Sequence, residues 1–412
     1  MDSPATPTSD TPWGHRPFVY FWFTRVATII GYQMLTVAVG WQVYALTGRA
    51  LDLGLIGLVQ FLPAVMLLLW AGHVADRHDR RRIARICQAA EALVALALAA
   101  GSAMGWISEY AIFALVFAVG GVRAFETPSL QAMLPALVPA RLLPRAVASS
   151  ATATQTAIVI GPALGGLIYI AGPAWTYGTS AAMFVTAAIM TSRIRYEHVL
   201  RAREPATLKS VFAGLAFLRS RQAMLGAVTL DMVAVLLGGV TALLPIYARD
   251  ILHTGPWGLG FLRSAPALGA LTMALWLGRR PLQRHAGRTM FAAVAVFGAV
   301  TIVFGLSRWF PLSFAALVVL GASDMISVVV RASLIQLGTP DAMRGRVSAV
   351  NAMFIGTSNQ LGEFESGVTA AWLGTVPSVV IGGIGTILAV LLGMRLFPQL
   401  ARIDRLESVR HV

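Results

Sequence analysis

LGLIGLVQFLPAVMLLLWAGHVADRHDRRR (53–82) joins two kinds of chain. Residues 53–71 carry no ionisable side chain. At a helical rise of 1.5 Å they come close to the length that a bilayer core of roughly 30 Å demands. The next eleven residues gather Asp76, Arg77, Asp79, Arg80, Arg81 and Arg82. So abrupt a passage from lipid-compatible to water-compatible chain marks the end of a membrane span. The fold then depends on how often the pattern recurs.

It recurs from end to end. Of 412 residues, 57% are hydrophobic and only 12% charged, against about 25% charged in a soluble domain. Short alternating segments of the β-barrel type are absent, so the sequence predicts a polytopic all-α membrane protein. Apolar runs lie near 18–46, 52–74, 83–105, 109–137, 144–170, 175–196, 221–248, 257–278, 289–306, 311–337, 345–373 and 376–397. They give twelve expected spans in two groups of six. The expected domains are a disordered tail (1–16), a first bundle (17–196), a linker (197–220) whose second part, TLKSVFAGLAFLRS, is an amphipathic helix, a second bundle (221–398) and a second tail (399–412). The tail MDSPATPTSDTPWGHR lacks the basic start and apolar core of a cleaved signal peptide, so the first span is expected to be retained.

Charge gives orientation. Of the 32 Lys and Arg, 25 fall at one end of the expected spans or in the tails. Arg49, Arg249 and Arg308 fall at the other end, and Arg25, Arg123, Arg263 and Arg331 inside spans. The positive-inside rule then puts both termini in the cytoplasm of a bacterial inner membrane protein. It also accounts for most of the net charge of +14 without a nucleic-acid partner; the expected partners of these loops are membrane lipids. Cys87 is the sole cysteine and the seven His are scattered, so no metal site and no cofactor are expected. GGVRAF (120–125) and GPALGG (161–166) lie within apolar runs, not after strands. They are not nucleotide fingerprints, and no P-loop supplies ATP.

The two halves repeat. Residues 138–166 align on 339–367 at an offset of 201 without gaps, pairing Pro139 with Pro340, Arg145 with Arg346, Gly161 with Gly362 and Gly166 with Gly367. Paired halves around a pathway are a transporter plan.

Three stretches resemble the major facilitator superfamily. Gly72-x-x-x-Asp76-Arg77-x-x-Arg80-Arg81 is similar to its loop signature between helices 2 and 3, with Asp79 where Gly is usual. The fifth span, with Gly161, Pro162, Gly165 and Gly166, resembles its antiporter motif, two glycines being replaced by Ala148 and Ala157. Arg123 matches its intramembrane arginine, although Glu126 and Thr127 stand where Gln and Gly are usual. AFETPSLQAMLPALVP (124–139), LDMVAVLLGGVTALLPIYARD (230–250) and GLGFLRSAPALGA (258–270) look like the branch holding the enterobactin exporter and macrolide efflux proteins. The resemblance implies alternating access between two bundles, proton-driven export, a monomer, and a cytoplasmic gate latch at Gly72, Asp76, Arg77, Arg80 and Arg81. It also implies that spans 1, 4, 7 and 10 line the substrate cavity.

Charge inside a bilayer costs at least about 2.5–3.5 kcal/mol per group, so it needs a reason. For the cavity the candidates are Arg25, Arg123, Arg331, Tyr32 and Trp41. For proton coupling they are Asp231 first, Asp324 second, then Glu126, Glu363 and Glu365. Arg123 and Glu126 share a helical face, which suits either a static ion pair or one that opens on protonation. Glu363 and Glu365 replace the apolar Pro162 and Leu164 of the first repeat. Glu91 is expected at a structural or lipid-interface position on the third span. The chain therefore reads as a secondary exporter of an amphipathic small molecule, a siderophore or a drug. An importer or lipid transporter on the same scaffold is the alternative. No nucleophile–base or metal constellation supports an enzyme.

Overall fold

The computed structural model describes residues 11–196, 208–282 and 284–404. Among them the regular elements are helices, gathered into two compact units. One unit comprises residues up to 39 and 59–205, the other 40–58 and 206 onward. The hairpin 40–58 groups with the later residues. The cause is close packing of small residues: a Cβ on Gly54 would stand 3.0 Å from the Gly367 Cα.

The first six helices are α1 (Arg16–Thr47), α2 (Ala50–Arg77), α3 (Arg80–Met104), α4 (Glu109–Met133), α5 (Leu143–Tyr169) and α6 (Pro173–Arg193). Then come the short α7 (Leu208–Ser220) and α8 (Gln222–Leu237), which continues past Gly238 and Gly239 through a 3-10 turn to a π-turn at Tyr247–Ile251. The rest are α9 (Gly255–Arg279), α10 (Ala286–Leu306), α11 (Phe310–Gly338), α12 (Asp341–Leu373) and α13 (Thr375–Leu396). Twelve of these match the expected spans, and ten spans are both long and apolar enough to cross a membrane. The other two, α6 and α12, have 21 and 33 residues. Their length suffices, but Thr and Ser dilute α6, and Asp341, Arg344, Arg346, Asn351, Glu363 and Glu365 dilute α12.

Local chemistry sets the ends. The Asp79 side chain caps α3 by accepting from the Arg81 N–H, and Ser108 caps α4 by accepting from that of Ala111. Gly105 ends α3 at φ 75°, where a Cβ is disfavoured. Part of each expected tail is structured. Pro12–Gly14 form a 3-10 turn, and Trp13 packs edge-on against Phe18 and Trp22. At the other terminus Leu400 is fully buried, and the Ala286 and Gly287 N–H groups donate to the Asp404 and Ile403 carbonyls. These bonds satisfy N-terminal donors that α10 cannot pair internally.

Within the first unit α3 packs on α6 and α4, and α5 meets α1 through glycine. A Cβ on Gly161 would stand 2.6 Å from the Gln33 Cβ, and one on Gly165 would stand 2.8 Å from the Met34 Cα. Within the second unit a Cβ on Gly362 would stand 2.8 Å from the Val235 carbonyl oxygen. Val235 follows Met34 by the same 201 residues that relate Gly362 to Gly161. In each unit, then, glycines on the fifth helix of the repeat let it approach the first closely.

Gly165→Val is accordingly expected to destabilise the first unit by about 1–3 kcal/mol through overpacking. Gly178→Ala, placed where a Cβ meets nothing within 4 Å, should lose nothing. Thermal melts of the two purified variants check the contrast.

Candidate functional site

The first unit holds a charged cluster among apolar helices. Arg123, on α4, places Nη1 3.4 Å from Glu91 Oε1 on α3 and 3.8 Å from Glu126 Oε2 one turn along its own helix. Its guanidinium lies 3.7 Å from the centroid of the Tyr32 ring on α1, a cation–π contact. Tyr32 donates in turn to Gln60 Oε1 at 3.1 Å. Arg25 donates to Thr154 Oγ1 at 3.0 Å. The Glu91 side chain is 0% exposed and that of Arg123 24%; Arg25 and Tyr32 are also half-buried, and Glu126 is buried. Glu91 Oε2 and Glu126 Oε1 are buried without a hydrogen-bond partner.

Glu91 therefore belongs inside the cluster, which is the structural one of the two positions expected for it, not the lipid interface. A carboxylate eleven residues into an apolar helix was the available signal. What sequence lacked was the neighbour, because Arg123 lies 32 positions away. Around the same place Thr191 donates to Gln88 Oε1 at 2.8 Å, and Gln88 donates to Thr28 at 3.5 Å.

The second unit holds the other candidates. Asp231, on α8, is ion-paired with Arg331 on α11 and accepts from Ser327 Oγ at 2.8 Å. The side chains of this pair are 5% and 4% exposed. Asp324 lies one turn before Ser327 on α11, half-buried, with no ion pair or hydrogen bond among the described residues. Ser327, which sequence reasoning passed over, is thus one turn from Asp324 and bonded to Asp231. Glu365 accepts from Thr369 Oγ1 at 2.8 Å. Glu363 lies against Gly57, with Arg263 the cation acting on it. Arg249 is engaged with Asp250, at 3.8 Å, and with the Tyr44 carbonyl at 3.3 Å. Tyr44 itself donates to Asp250. Trp41 is half-buried in the hairpin that groups with this unit. The five cavity candidates are therefore divided: Arg25, Arg123 and Tyr32 come together, whereas Arg331 and Trp41 belong to the second unit.

At the loop after α2, Arg80 donates to the Ala132 carbonyl at 3.0 Å and Arg81 to the Ile194 carbonyl at 2.9 Å. These bonds tie the start of α3 to the ends of α4 and α6. The superfamily's usual Gly is replaced here by Asp79, the cap of α3, which also accepts from Tyr196 at 3.5 Å. Burial, and next Asp79, push the Tyr196 phenol above its ordinary range. Arg77 is exposed and Gly72 has open space beside it. The Asp76 side chain lies outside the described ones. Gly161, Pro162, Gly165 and Gly166 are all buried in α5. Among the described residues no three His, Cys, Asp or Glu are grouped to hold a metal.

Comparison with known proteins identifies the family and the fold. A family model described as transmembrane secretion effector matches residues 7–411. The enterobactin exporter EntS of Citrobacter koseri is 28% identical over 390 residues, covering 94% of this chain and 93% of the exporter. That of Escherichia coli is 27% identical over 391 residues, with the same coverage of 94% and 93%. Among solved structures, a bacterial homolog of the human lysosomal transporter Spinster, inward-facing and unoccupied, gives a TM-score of 0.74 at 12% identity, covering 95% of this chain and 99% of that one. The nucleoside transporter NupG gives 0.69 at 12% identity, covering 92% and 99%. At such identities the solved structures carry the fold alone, and the fold is that of the major facilitator transporters.

Proposed function

The chain belongs to the transmembrane secretion effector family of major facilitator transporters, and from that premise we propose that it exports an amphipathic organic compound by proton antiport. The compound is of the siderophore or drug class, a reading supported by relatives named as enterobactin exporters. Export proceeds by alternating access of a monomer in a bacterial inner membrane. The gathering of 25 of 32 basic residues at one end supports cytoplasmic termini.

One observation carries the coupling: Asp324 is a mid-span carboxylate without a partner among the described residues, one turn from the sealed Ser327–Asp231–Arg331 group. A carboxylate in that position loses and gains a proton without first breaking an ion pair. Asp231, neutralised by Arg331, holds the frame against which it works. Arg123, half-buried beside the fully buried Glu91, receives an anionic or hydrogen-bonding group of the substrate. Arg25 and Tyr32 complete the wall on the first unit, and Glu126 exchanges with Glu91 for Arg123. Glu363 and Glu365 act at the end remote from the basic loops, and Gly72, Asp76 and Arg77 serve as the gate at the basic end.

The test uses purified protein in liposomes under an imposed pH gradient, with a pH dye inside and catecholate siderophores and macrolides offered in turn. Substrate-dependent proton flux opposite to solute movement is the expected result. Solute movement with no proton flux refutes proton antiport, and flux of both in one direction makes the protein an importer or symporter.

A further inference from the structure

We propose that the seam between α3 and α4 holds one anionic phospholipid, its acyl chain in an apolar hollow and its phosphate on Arg82 and Arg85. The hollow is open, about 470 Å³, and is formed by Ile83, Ile86 and Ala90 of α3 with Ala118, Gly121 and Phe125 of α4. That volume falls within the roughly 300–1,000 Å³ of ordinary ligand sites. Both rows repeat at helical spacing, so the hollow runs along the helices, as a chain does.

Its chemistry selects hydrocarbon. Water in a cavity needs two or more polar partners, and this lining is apolar but for the Cys87 thiol. A void would forfeit the dispersion contacts of every lining atom. The transported compound fits worse than lipid, because its polar groups would find no partner there. A lipid chain fills the hollow and leaves its headgroup at the membrane surface.

Charge then selects the headgroup. Arg82 lies one turn before Ile86 on α3, and Arg85 lies next to Ile86. Both arginines are exposed, without a partner among the described residues. Surface cations beside a membrane draw anionic lipids. Arg80 and Arg81, by contrast, are occupied by backbone carbonyls. The site also bears on the charged cluster: Glu91 is one turn beyond Cys87, and Arg123 follows Val122, both of which line the hollow. A bound chain therefore braces the two helices that carry the Arg123–Glu91 pair.

The test is native mass spectrometry of the full chain released from vesicles of phosphatidylethanolamine and phosphatidylglycerol in equal amounts. Wild type is expected to retain one phosphatidylglycerol. Arg82→Gln with Arg85→Gln should weaken that retention roughly thirtyfold, the effect of two surface cations. Ala90→Leu and Ala118→Leu, made separately, each fill the hollow and should displace the lipid; melting temperatures identify whichever variant stays folded. Equal retention of phosphatidylethanolamine overturns the headgroup assignment. Retention unchanged in the folded variants, or no lipid retained by wild type, overturns the site. None of these outcomes depends on transport or on proton coupling.

Discussion

Arg331→Leu is expected to destabilise the second unit by about 3–5 kcal/mol, because it leaves Asp231 buried without its counter-charge. Asp231 is 4% exposed, and its remaining partner is the Ser327 hydroxyl. A loss of that size is a large part of a total stability of about 5–15 kcal/mol. The reverse truncation, Asp231→Leu, should cost a similar amount, since a guanidinium is then stranded. Asp231→Leu combined with Arg331→Met should recover most of the loss, because two apolar side chains need no pairing. Melting temperatures of the three variants in one detergent check the cycle. If either single variant melts within about a degree of wild type, the pair does not hold the unit together. Transport by the recovered double variant then shows whether the ions matter beyond stability.

Asp324→Asn is expected to do the opposite: little change in stability and a large loss of drive. The side chain is half-buried and has no ion pair or hydrogen bond among the described residues, so the amide breaks no contact found there. It cannot carry a proton at any physiological pH. Efflux under a pH gradient should fall at least about a hundredfold, the lower end of what a positioned proton-transfer group contributes. Exchange of labelled for unlabelled substrate, which needs no net proton movement, should persist. Unchanged gradient-driven efflux would remove Asp324 from coupling. Loss of exchange together with efflux would make it a substrate or folding residue instead.

The candidate site was legible in part, and the limits have physical causes. Charges stood out because each interrupts an apolar run at a cost lipid does not forgive. That singled out Arg25, Arg123, Glu126, Asp231, Asp324, Arg331, Glu363 and Glu365 by position alone. Spacing within one helix also gave the Arg123–Glu126 pair, three residues apart and 3.8 Å between charged atoms. Spacing could not give partners on other helices. Glu91 meets Arg123, and Asp231 meets Arg331, through packing of distinct helices. Asp231 and Asp324 look alike in sequence, both in mid-span; one is sealed in an ion pair and the other has none among the described residues. Ser327 gave no signal, because a serine is unremarkable in a membrane helix until its neighbour is known.

By itself the sequence determined that this chain crosses a membrane many times, in two related halves, with one end of its helices basic. Those properties are local: length and hydropathy of each run, the sign of each loop, and glycines recurring 201 residues apart. The tertiary structure decided which charges neutralise one another, and it left Asp324 without an ion pair among the described residues. It turned Arg80 and Arg81 into ties between helix ends, and it opened an apolar hollow between α3 and α4. It also put the hairpin 40–58 with the second unit. The reason is the same in each case: pairing and packing depend on which helix faces which, and a helix's own residues specify its apolar length without naming its neighbour.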